Sequence, residues 1–425
     1  MPKTLDAAPP RRATRRAAWL LGPAMVAGVA YLDPGNVASN MTAGAVFGYL
    51  LVWVVVLGNV MAWLIQYLSA KLGIVTGESL PQLLGRRIHR PWVRRAYWLQ
   101  AELVAMATDV AEVIGGAVAL NLLFGIPLLW GGAITGVVSI ALLLVQSRRG
   151  ARTFETVVIG LLVIIAVGFT AGLFFAPPDP VGVVGGLVPR FDGATSVLLA
   201  ASILGATIMP HAIYAHSALS RDRFAPSEPT AAADLEAARG VSTPRLLRAT
   251  RWDVTIALAV AGTVNLAILL LAAANLTGVD GTDSLEGAYA ALHDGLGPLV
   301  ATLFAVGLLA SGLASTSVGA YAGAEIMHGL LRIRVPLLAR RLVTLVPALA
   351  ILGLGIDPTV ALVLSQVVLS FGIPFALIPL VVLTSRRDLL GVHRNRPLTT
   401  AAGVVASVFL VALNAVLLWL VFSGG

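Results

Sequence analysis

Long apolar runs separated by short charged segments dominate this sequence. Runs of about 20 apolar residues are long enough to cross a bilayer as helices, and the pattern predicts eleven of them. Their approximate bounds are 17–46, 48–74, 94–124, 127–146, 154–176, 194–219, 252–277, 296–328, 336–355, 358–385 and 398–422. The sequence therefore predicts an all-α polytopic membrane protein with a single transmembrane domain over residues 1–425.

The composition supports this prediction and limits the alternatives. The chain is 58% hydrophobic and 12% charged, whereas a soluble protein carries roughly 25% charged residues. A net charge of +8 is compatible with nucleic-acid binding, but the positive residues lie in short loops between spans, where they act as topology signals. We therefore expect no nucleic-acid partner. With 0 cysteines, disulfides and thiolate metal sites are excluded.

The distribution of positive charge predicts the topology. If the N-terminus is cytoplasmic, the inside segments are 1–16, 75–95, 147–153, 220–251, 329–341 and 386–397, together with Lys71 at the end of its span. Of the 29 Lys and Arg residues, only Arg190 then falls outside. Positive residues accumulate in cytoplasmic loops, so we predict a basic cytoplasmic tail over 1–16 and an external C-terminus. The loop 220–251 is expected to be a mobile or amphipathic linker.

The first span is interrupted at residues 31–36, which read Tyr-Leu-Asp-Pro-Gly-Asn. Asp33 is a carboxylate at bilayer depth, where charges are costly and are usually paired or functional. Pro34 removes a backbone donor and Gly35 lowers helix stability. The stretch predicts a broken helix with free carbonyls beside Asp33, which must be buried in protein or line a cavity. The alternative is a proline kink with a satisfied Asp33.

A second interruption, Gly-Ala-Thr-Ile-Met-Pro-His at 205–211, lies midway along the sixth span. Asp33 and Met209 each precede a proline, five spans apart. A repeat of five spans must be inverted in the membrane, so we predict inverted repeats over about 17–176 and 194–385 with an appended helix at 398–422. Paired interruptions point to a transporter's binding site, although proline kinks could also coincide by chance.

The side chains at the two breaks suggest a metal site. Asp33 offers a carboxylate, Asn36 an amide oxygen, Met209 a thioether and an unwound turn near Ala206 a carbonyl. Oxygen ligands alone suit Mg²⁺ or Ca²⁺, and an added sulfur favours softer transition metals. The alternative is that Met209 only fills the core, as most methionines do.

The third span carries three acids, Glu102, Asp109 and Glu112, at spacings of seven and three. They share one helix face and must face protein or water rather than lipid. Buried acids that crowd one another hold protons more readily than solvated acids, so a proton relay and a structural salt-bridge cluster are both open. Arg340 and Arg341, which begin the apolar part of span nine, are available as partners.

Two histidines follow the second break. His211 and His216 are five residues apart and do not share a helix face, so they form a poor bidentate site. His211 is placed for gating or proton transfer, and His216 either shuttles protons or packs. We expect Asn265, Asn275 and Glu325 to form hydrogen bonds between helices.

The quoted motifs together resemble the Nramp family of proton-coupled divalent-metal transporters. The resemblance rests on Asp-Pro-Gly-Asn at 33–36, Met-Pro-His-Ala-Ile-Tyr-Ala-His-Ser at 209–217, Gln-Ala-Glu-Leu-Val-Ala-Met-Ala-Thr-Asp-Val-Ala-Glu at 100–112 and Ser-Gln at 365–366. It implies the leucine-transporter-like fold of two inverted five-helix repeats. It also implies import of Mn²⁺ and Fe²⁺ with protons, and often of Cd²⁺, Co²⁺ and Zn²⁺, across the cytoplasmic membrane by a monomer.

The resemblance also implies roles for individual residues. Asp33, Asn36 and Met209 would bind the metal with the Ala206 carbonyl, and Gln366 would approach it in some conformations. An arginine of span nine would pair with span three. Ala212, Ile213 and Ala215 depart from the commoner family wording, which affects helix packing more than metal choice.

The proton route that we infer begins at Asp33 as the first acceptor. It continues through Asp109 and Glu112 towards the cytoplasm. Glu102, His211, His216, Arg340 and Arg341 are its further candidates.

Two classes of alternative remain at this point. One is a sodium- or proton-coupled amino-acid or amine transporter of the same fold; the other is a channel or an intramembrane hydrolase. The sequence contains no phosphate-binding P-loop, no His-Glu-x-x-His and no Gly-x-Ser-x-Gly. We therefore expect no enzyme activity and no resident cofactor, with the metal as the transported substrate.

Overall fold

A computed structural model describes residues 22–149, 151–226, 234–333 and 335–423. The described residues contain helices and no strands. The predicted tail over 1–16 lies outside the described residues. The helices are α1 (Pro23–Ala30), α2 (Pro34–Phe47), α3 (Val52–Thr76), α4 (Leu80–Arg87), α5 (Pro91–Phe124), α6 (Leu128–Arg149), α7 (Ala151–Thr170), α8 (Gly172–Phe175), α9 (Pro180–Gly185), α10 (Gly193–Ile208), α11 (Pro210–Arg223), α12 (Leu235–Arg239), α13 (Thr243–Asn275), α14 (Leu285–Leu296), α15 (Pro298–Ile326), α16 (Leu337–Gly353), α17 (Pro358–Ser385), α18 (Arg387–Leu390) and α19 (Pro397–Ser423).

Each predicted span corresponds to a helix or a broken helix in the described part of the chain. Seven helical segments there are long and apolar enough to cross a membrane. Two shorter apolar stretches lie in α6 and across the end of α7 and α8. The first span is the broken pair α1 and α2, and the ninth is α16. The all-α, eleven-span prediction is confirmed, whereas the predicted sidedness and repeat bounds stay predictions.

Several predicted loops contain helices. The linker predicted over 220–251 includes α12, and α13 begins at Thr243 rather than near 252. The segment between the predicted seventh and eighth spans contains most of α14, and the predicted inside segment 75–95 contains α4. Short polar helices lack the long apolar signal that identified the spans, and a capping box at Ser79 and Gln82 starts α4 locally. The described C-terminal part of that linker is therefore helical, and its mobile or amphipathic character stays a prediction.

The helices pack as two groups around the breaks. The broken helices α1/α2 and α10/α11 pack with α3 and α13, while α5 packs with α6, α15 and α16, and α15 also packs with α7. Helix α2 contacts α10 and α1 contacts α11, so the first half of each broken helix lies beside the second half of the other. This antiparallel crossing is what inverted repeats require. Helix α17 contacts both groups.

The N-terminus of α1 is held by a side chain from another helix. Asp253 of α13 is buried, and its two carboxylate oxygens accept hydrogen bonds from the backbone N–H groups of Gly22 (3.1 Å) and Ala24 (2.9 Å). The first N–H groups of a helix have no partner within it, and an anion is favourable there. Asp253 therefore ties the short half-helix α1 to α13.

Candidate metal site and proton route

The first break exposes backbone carbonyls next to Asp33. Asp33 caps α2 through its Oδ1, which accepts a hydrogen bond from Asn36 N at 2.8 Å. The carbonyl of Tyr31 accepts bonds from Asn36 Nδ2 (2.6 Å) and Asn265 Nδ2 (2.9 Å). The carbonyl of Leu32 accepts a bond from the Ser311 hydroxyl. The predicted break is therefore present, but its carbonyls are not free, because side chains of α2, α13 and α15 donate to them.

The second break follows from the chemistry of Pro210. In a continuous helix the carbonyl of Ala206 would accept from residue 210, but proline has no N–H. The Ala206 carbonyl instead accepts a bond from Asn36 Nδ2 at 2.9 Å. Met209 has φ 38° and ψ 100°, a conformation that costs a non-glycine residue free energy and that the surrounding structure must hold. Asn36 thus joins the two breaks directly.

Gln366 of α17 reaches into the same place. Its Nε2 donates to Asp33 Oδ2 at 3.0 Å, while its Oε1 is buried without a partner among the described residues. A Cβ on Gly35 would lie 1.7 Å from Gln366 Nε2, and a Cβ on Gly205 would lie 1.9 Å from the Gln366 carbonyl oxygen. Only glycine allows α17 to approach both broken helices so closely.

The five candidate ligand residues are all 0% exposed, namely Asp33, Asn36, Ala206, Met209 and Gln366. Four are linked by the hydrogen bonds above, and Met209 lies fully buried at the second break. The described residues contain no group of three or more His, Cys, Asp or Glu side chains that could hold a metal. A metal bound here would therefore depend on one carboxylate together with amide, carbonyl and thioether groups. Such a mixed set suits a soft divalent ion that must also be released.

The acids of the third span face two buried arginines. Arg340 donates to Glu102 Oε1 (3.0 Å) and Asp109 Oδ2 (2.9 Å). Arg341 donates to Asp109 Oδ1 (3.0 Å) and Glu112 Oε2 (3.1 Å). The predicted pairing of span nine with span three is present and involves both arginines. These arginines are buried inside α16, so counting them as loop charges in the topology argument was wrong, and they are ion-pair partners instead.

The cluster carries more acid than base. Three carboxylates face two guanidinium groups, and one oxygen each of Glu102 and Glu112 is buried without a hydrogen-bond partner among the described residues. A buried carboxylate oxygen without a donor is costly, and a proton on that oxygen would lower the cost. The geometry therefore permits a proton to reside there. It also contains the salt-bridge cluster that we gave as the alternative.

The acid cluster lies close to the first break. A Cβ on Gly115, one turn beyond Glu112, would be 2.1 Å from Pro34 Cβ. The start of α2 is therefore in close contact with α5. This packing places Asp33 and Glu112 at neighbouring points of one interface, although no hydrogen bond joins them in the described structure.

The two histidines lie in different surroundings. His211 Nδ1 is 3.2 Å from the hydroxyl of Thr108, which precedes Asp109, so His211 lies between the second break and the acid cluster. His216 Nδ1 is 2.8 Å from Gln66 Oε1, and its other ring nitrogen is buried without a partner among the described residues. The structure brings His211 to the cluster. It places His216 against α3, apart from the acids.

Sequence reasoning missed several hydroxyl groups around the site. Ser139 Oγ accepts from Arg341 Nε at 2.9 Å and Thr316 Oγ1 from Arg341 Nη2 at 3.3 Å. Thr108 contacts His211, as described above. The position of Thr108 within the acid-bearing motif was an available signal. Ser139 and Thr316 had none, because hydroxyl residues are common in membrane helices.

The other polar residues of the spans have mixed outcomes. Asn265 forms the predicted hydrogen bond between helices through Tyr31 O. Asn275 instead donates to Leu271 O in its own helix at 2.8 Å, so that prediction was wrong. Glu325 accepts from the Ser79 hydroxyl at 2.6 Å and is ion-paired with Arg221 of α11 at 2.7 Å. It therefore joins three helices at the end of α15.

A helical membrane protein with two proline-broken helices meeting at a buried carboxylate has the architecture of a secondary transporter. The chain belongs to the Nramp family, since the model described as natural resistance-associated macrophage protein-like matches residues 24–420. It is 60% identical over 414 residues to a divalent metal cation transporter of Mycobacterium tuberculosis, covering 97% of this chain and 94% of that protein. It is 46% identical over 415 residues to one of Deinococcus radiodurans, covering 97% and 92%.

Solved structures agree with this assignment. The fold is similar to that of a manganese transporter of Eremococcus coleocola, with a TM-score of 0.82 and 31% identity over 97% of this chain and 88% of that chain. It also resembles MhsT, crystallised with L-phenylalanine, with a TM-score of 0.60 and 14% identity. The second likeness shows only the shared leucine-transporter-like fold. Membership of a transporter family confirms the expectation that the chain is not an enzyme.

Proposed function

We propose that the protein imports divalent transition metal ions by alternating access, with the metal held between the two broken helices. The observation that carries this proposal is the buried junction at which Asp33, Asn36, the Ala206 carbonyl and Gln366 are connected. Nramp membership and the named activities of the relatives support the metal substrate. The amino-acid transporter alternative has support from the fold alone.

We assign the ligand roles from chemistry. Asp33 supplies the only formal charge of the set, and Asn36 and Ala206 supply neutral oxygens. In this structure the Ala206 carbonyl and both carboxylate oxygens accept protein donors. A carboxylate has about four acceptor positions, so Asp33 can bind the ion while it keeps the hydrogen bonds from Asn36 N and Gln366 Nε2. The side-chain amide of Asn36, which now donates to the Ala206 carbonyl, must turn to present its oxygen to the ion. Met209 adds the thioether that favours Mn²⁺ or Fe²⁺ over Mg²⁺.

Alternating access fits the burial of the junction. The ligand residues are closed to solvent in this structure, so the site must open to each side in turn. The backbone break at residues 31–33 separates α1 from α2, and the break at Met209 separates α10 from α11. Movement of half-helices about such breaks lets a fixed site face either side. The ion pair of Glu325 with Arg221 and the cap from Asp253 both hold half-helices in the present arrangement.

Proton coupling is the finer part of the proposal. Protonation of Asp33 competes with the metal, and we place the onward path through the acid cluster, from Glu112 and Asp109 past Arg341 and Arg340 towards Glu102. His211 contacts this path through Thr108, and we place it beside the main route of the proton. His216 contacts Gln66 instead, so we assign it to packing near α3. We further propose that the protein works as a monomer in the cytoplasmic membrane.

The metal assignment is tested by Mn²⁺ uptake into proteoliposomes at two external pH values, with and without excess Mg²⁺. Wild-type uptake should resist Mg²⁺ and rise with external acidity, and Met209→Ala should lose the resistance. Met41→Ala is the matched control, because Met41 is a buried methionine of α2 to which no ligand role is assigned. If excess Mg²⁺ abolishes uptake equally in the wild type and in Met209→Ala, the thioether argument fails.

The proton route is tested by recording internal acidification together with Mn²⁺ uptake. Glu112→Gln should reduce the protons moved per Mn²⁺, because the amide cannot carry a proton. The control is Glu286→Gln in the external helix α14, which should keep the wild-type ratio. An unchanged ratio in Glu112→Gln would remove that residue from the route.

A further inference from the structure

A groove on the side of the basic loops has no part in the metal site. It lies between the end of α17 and the first turns of α19 and has a volume of about 810 Å³. The lining residues that matter here are Ser385, Arg394, Arg396, Thr400, Val404 and Val405. The groove therefore combines two cations with an apolar wall.

The described part of the chain offers the two arginines no acidic partner. Arg394 and Arg396 are exposed, and neither forms an ion pair with any described residue. Nearby Arg386 is different, because it pairs with Asp388 at 2.9 Å, and Arg87 lies 3.6 Å from the same carboxylate. Two free guanidinium groups within three residues favour a phosphate, which they can bind through several charge-assisted hydrogen bonds.

The wall below the arginines is apolar and exposed, and it lies on a helix long and apolar enough to span a membrane. Val404 is 50% exposed, Val405 67% and Val408 62%. Helix α19 packs on α17, α10 and α3. Only 33% of its most apolar stretch is buried within the protein. The groove is therefore continuous with the hydrocarbon region along α19 and with the headgroup region at the arginines.

The segment that carries the arginines is fixed in place. Asn395 lies between them and is buried, with its backbone N donating to Thr384 O (2.9 Å) and its Nδ2 to Thr384 Oγ1 (2.8 Å). Its Oδ1 accepts a bond from the buried ammonium of Lys71. Because α3 and α17 hold this residue, the backbone of the flanking arginines needs little further ordering when a ligand binds.

We propose that this groove binds an anionic phospholipid of the leaflet next to the basic loops. Its phosphate contacts Arg394 and Arg396, and an acyl chain lies along Val404 and Val405. Basic pockets between membrane helices on the cytoplasmic side suit anionic headgroups. A soluble anion would make no use of the apolar wall, and a zwitterionic lipid lacks the net charge that two unpaired cations attract. This binding is independent of the metal site.

The test is native mass spectrometry of the purified full chain titrated with phosphatidylglycerol or phosphatidylcholine. A basic residue near a membrane surface contributes about 1 kcal/mol towards an anionic lipid, or roughly fivefold in affinity. The double variant Arg394→Gln/Arg396→Gln should therefore bind phosphatidylglycerol on the order of 30-fold more weakly, with little change for phosphatidylcholine. The matched control is Arg245→Gln/Arg248→Gln on α13, which removes the same charge from exposed positions on the same side and should bind like wild type.

A second variant keeps the charge and fills the groove. Val404→Trp should weaken binding of long-chain phosphatidylglycerol while leaving both arginines free. Inorganic phosphate is the competitor that identifies a headgroup-only site, and it should fail to displace the lipid at equal concentration. Equal lipid binding by the arginine double variant and its control would overturn the proposal. Displacement by phosphate together with unaltered binding by Val404→Trp would overturn it as well, in favour of a soluble anion.

Discussion

A methyl group added at Gly35 would test how Gln366 is held at the junction of the broken helices. A Cβ there would lie 1.7 Å from Gln366 Nε2, 2.4 Å from Cδ and 2.7 Å from Cγ, against an ordinary limit of 3.4 Å. The amide must then retreat by about 1.7 Å, the difference between 3.4 and 1.7 Å. It can no longer lie 3.0 Å from Asp33 Oδ2.

The lost hydrogen bond sets the size of the effect. A hydrogen bond to a charged group contributes about 1.5–3 kcal/mol, which corresponds to roughly 10- to 150-fold. We expect Gly35→Ala to lower kcat/KM for Mn²⁺ uptake into proteoliposomes by that order. Helix propensity cannot cause the loss, because alanine is the better helix former. Gly160→Ala on α7, where no atom of the described residues lies within 4 Å of the added methyl group, is the control and should transport like wild type.

A double-mutant cycle makes the argument refutable. The three atoms nearest to the added methyl group are all side-chain atoms that Gln366→Ala removes. Gly35→Ala/Gln366→Ala should therefore resemble Gln366→Ala alone, to within about twofold, because the two changes act through one side chain. Gly205→Ala should not be rescued in this way, since its Cβ would meet the backbone oxygen of Gln366 at 1.9 Å. Wild-type transport by Gly35→Ala, or fully additive losses in the pair, would refute the reasoning.

Two further changes test the supporting structure. Arg341→Gln removes a buried cation from Asp109 and Glu112, which should lower the free energy of unfolding by about 3–5 kcal/mol. The detergent-solubilised variant should therefore denature at a clearly lower temperature than the control Arg248→Gln. Equal thermal midpoints for the two variants would contradict the ion-pair account. Asp253→Asn weakens the cap of α1 by about 1 kcal/mol, so hydrogen exchange of the α1 amides should speed up roughly fivefold. Unchanged exchange would mean that α1 is held by packing alone.

The central features of the site were predictable from the sequence where the chemistry of one residue permits few local structures. Proline cannot donate a backbone hydrogen bond, so Pro34 and Pro210 marked both breaks, and the carbonyl of Ala206 lacks its usual helical donor for the same reason. A carboxylate in an apolar span must find partners, so the acids of α5 could be recognised as a buried cluster. These predictions rest on local chemistry that tertiary packing does not override.

The remaining features depend on which helices meet. The close approach of Gln366 to Gly35 and Gly205 is a property of helix packing that spacing along one chain does not encode. Ser311 and Thr316 look like any hydroxyl residue in a membrane helix. Short helices such as α4 and α14 bury a few leucines each, but they are too short to give the long apolar run that identified the spans.

The most direct measurement is calorimetric titration of Mn²⁺ into the purified protein, comparing the wild type with Asp33→Ala. The control is Asp179→Ala, which removes an exposed acid that caps α9. Our account predicts one Mn²⁺ site in the wild type and in the control, and its loss in Asp33→Ala. Retention of that site with unchanged affinity in Asp33→Ala would contradict the assignment of the metal to the junction of the two broken helices.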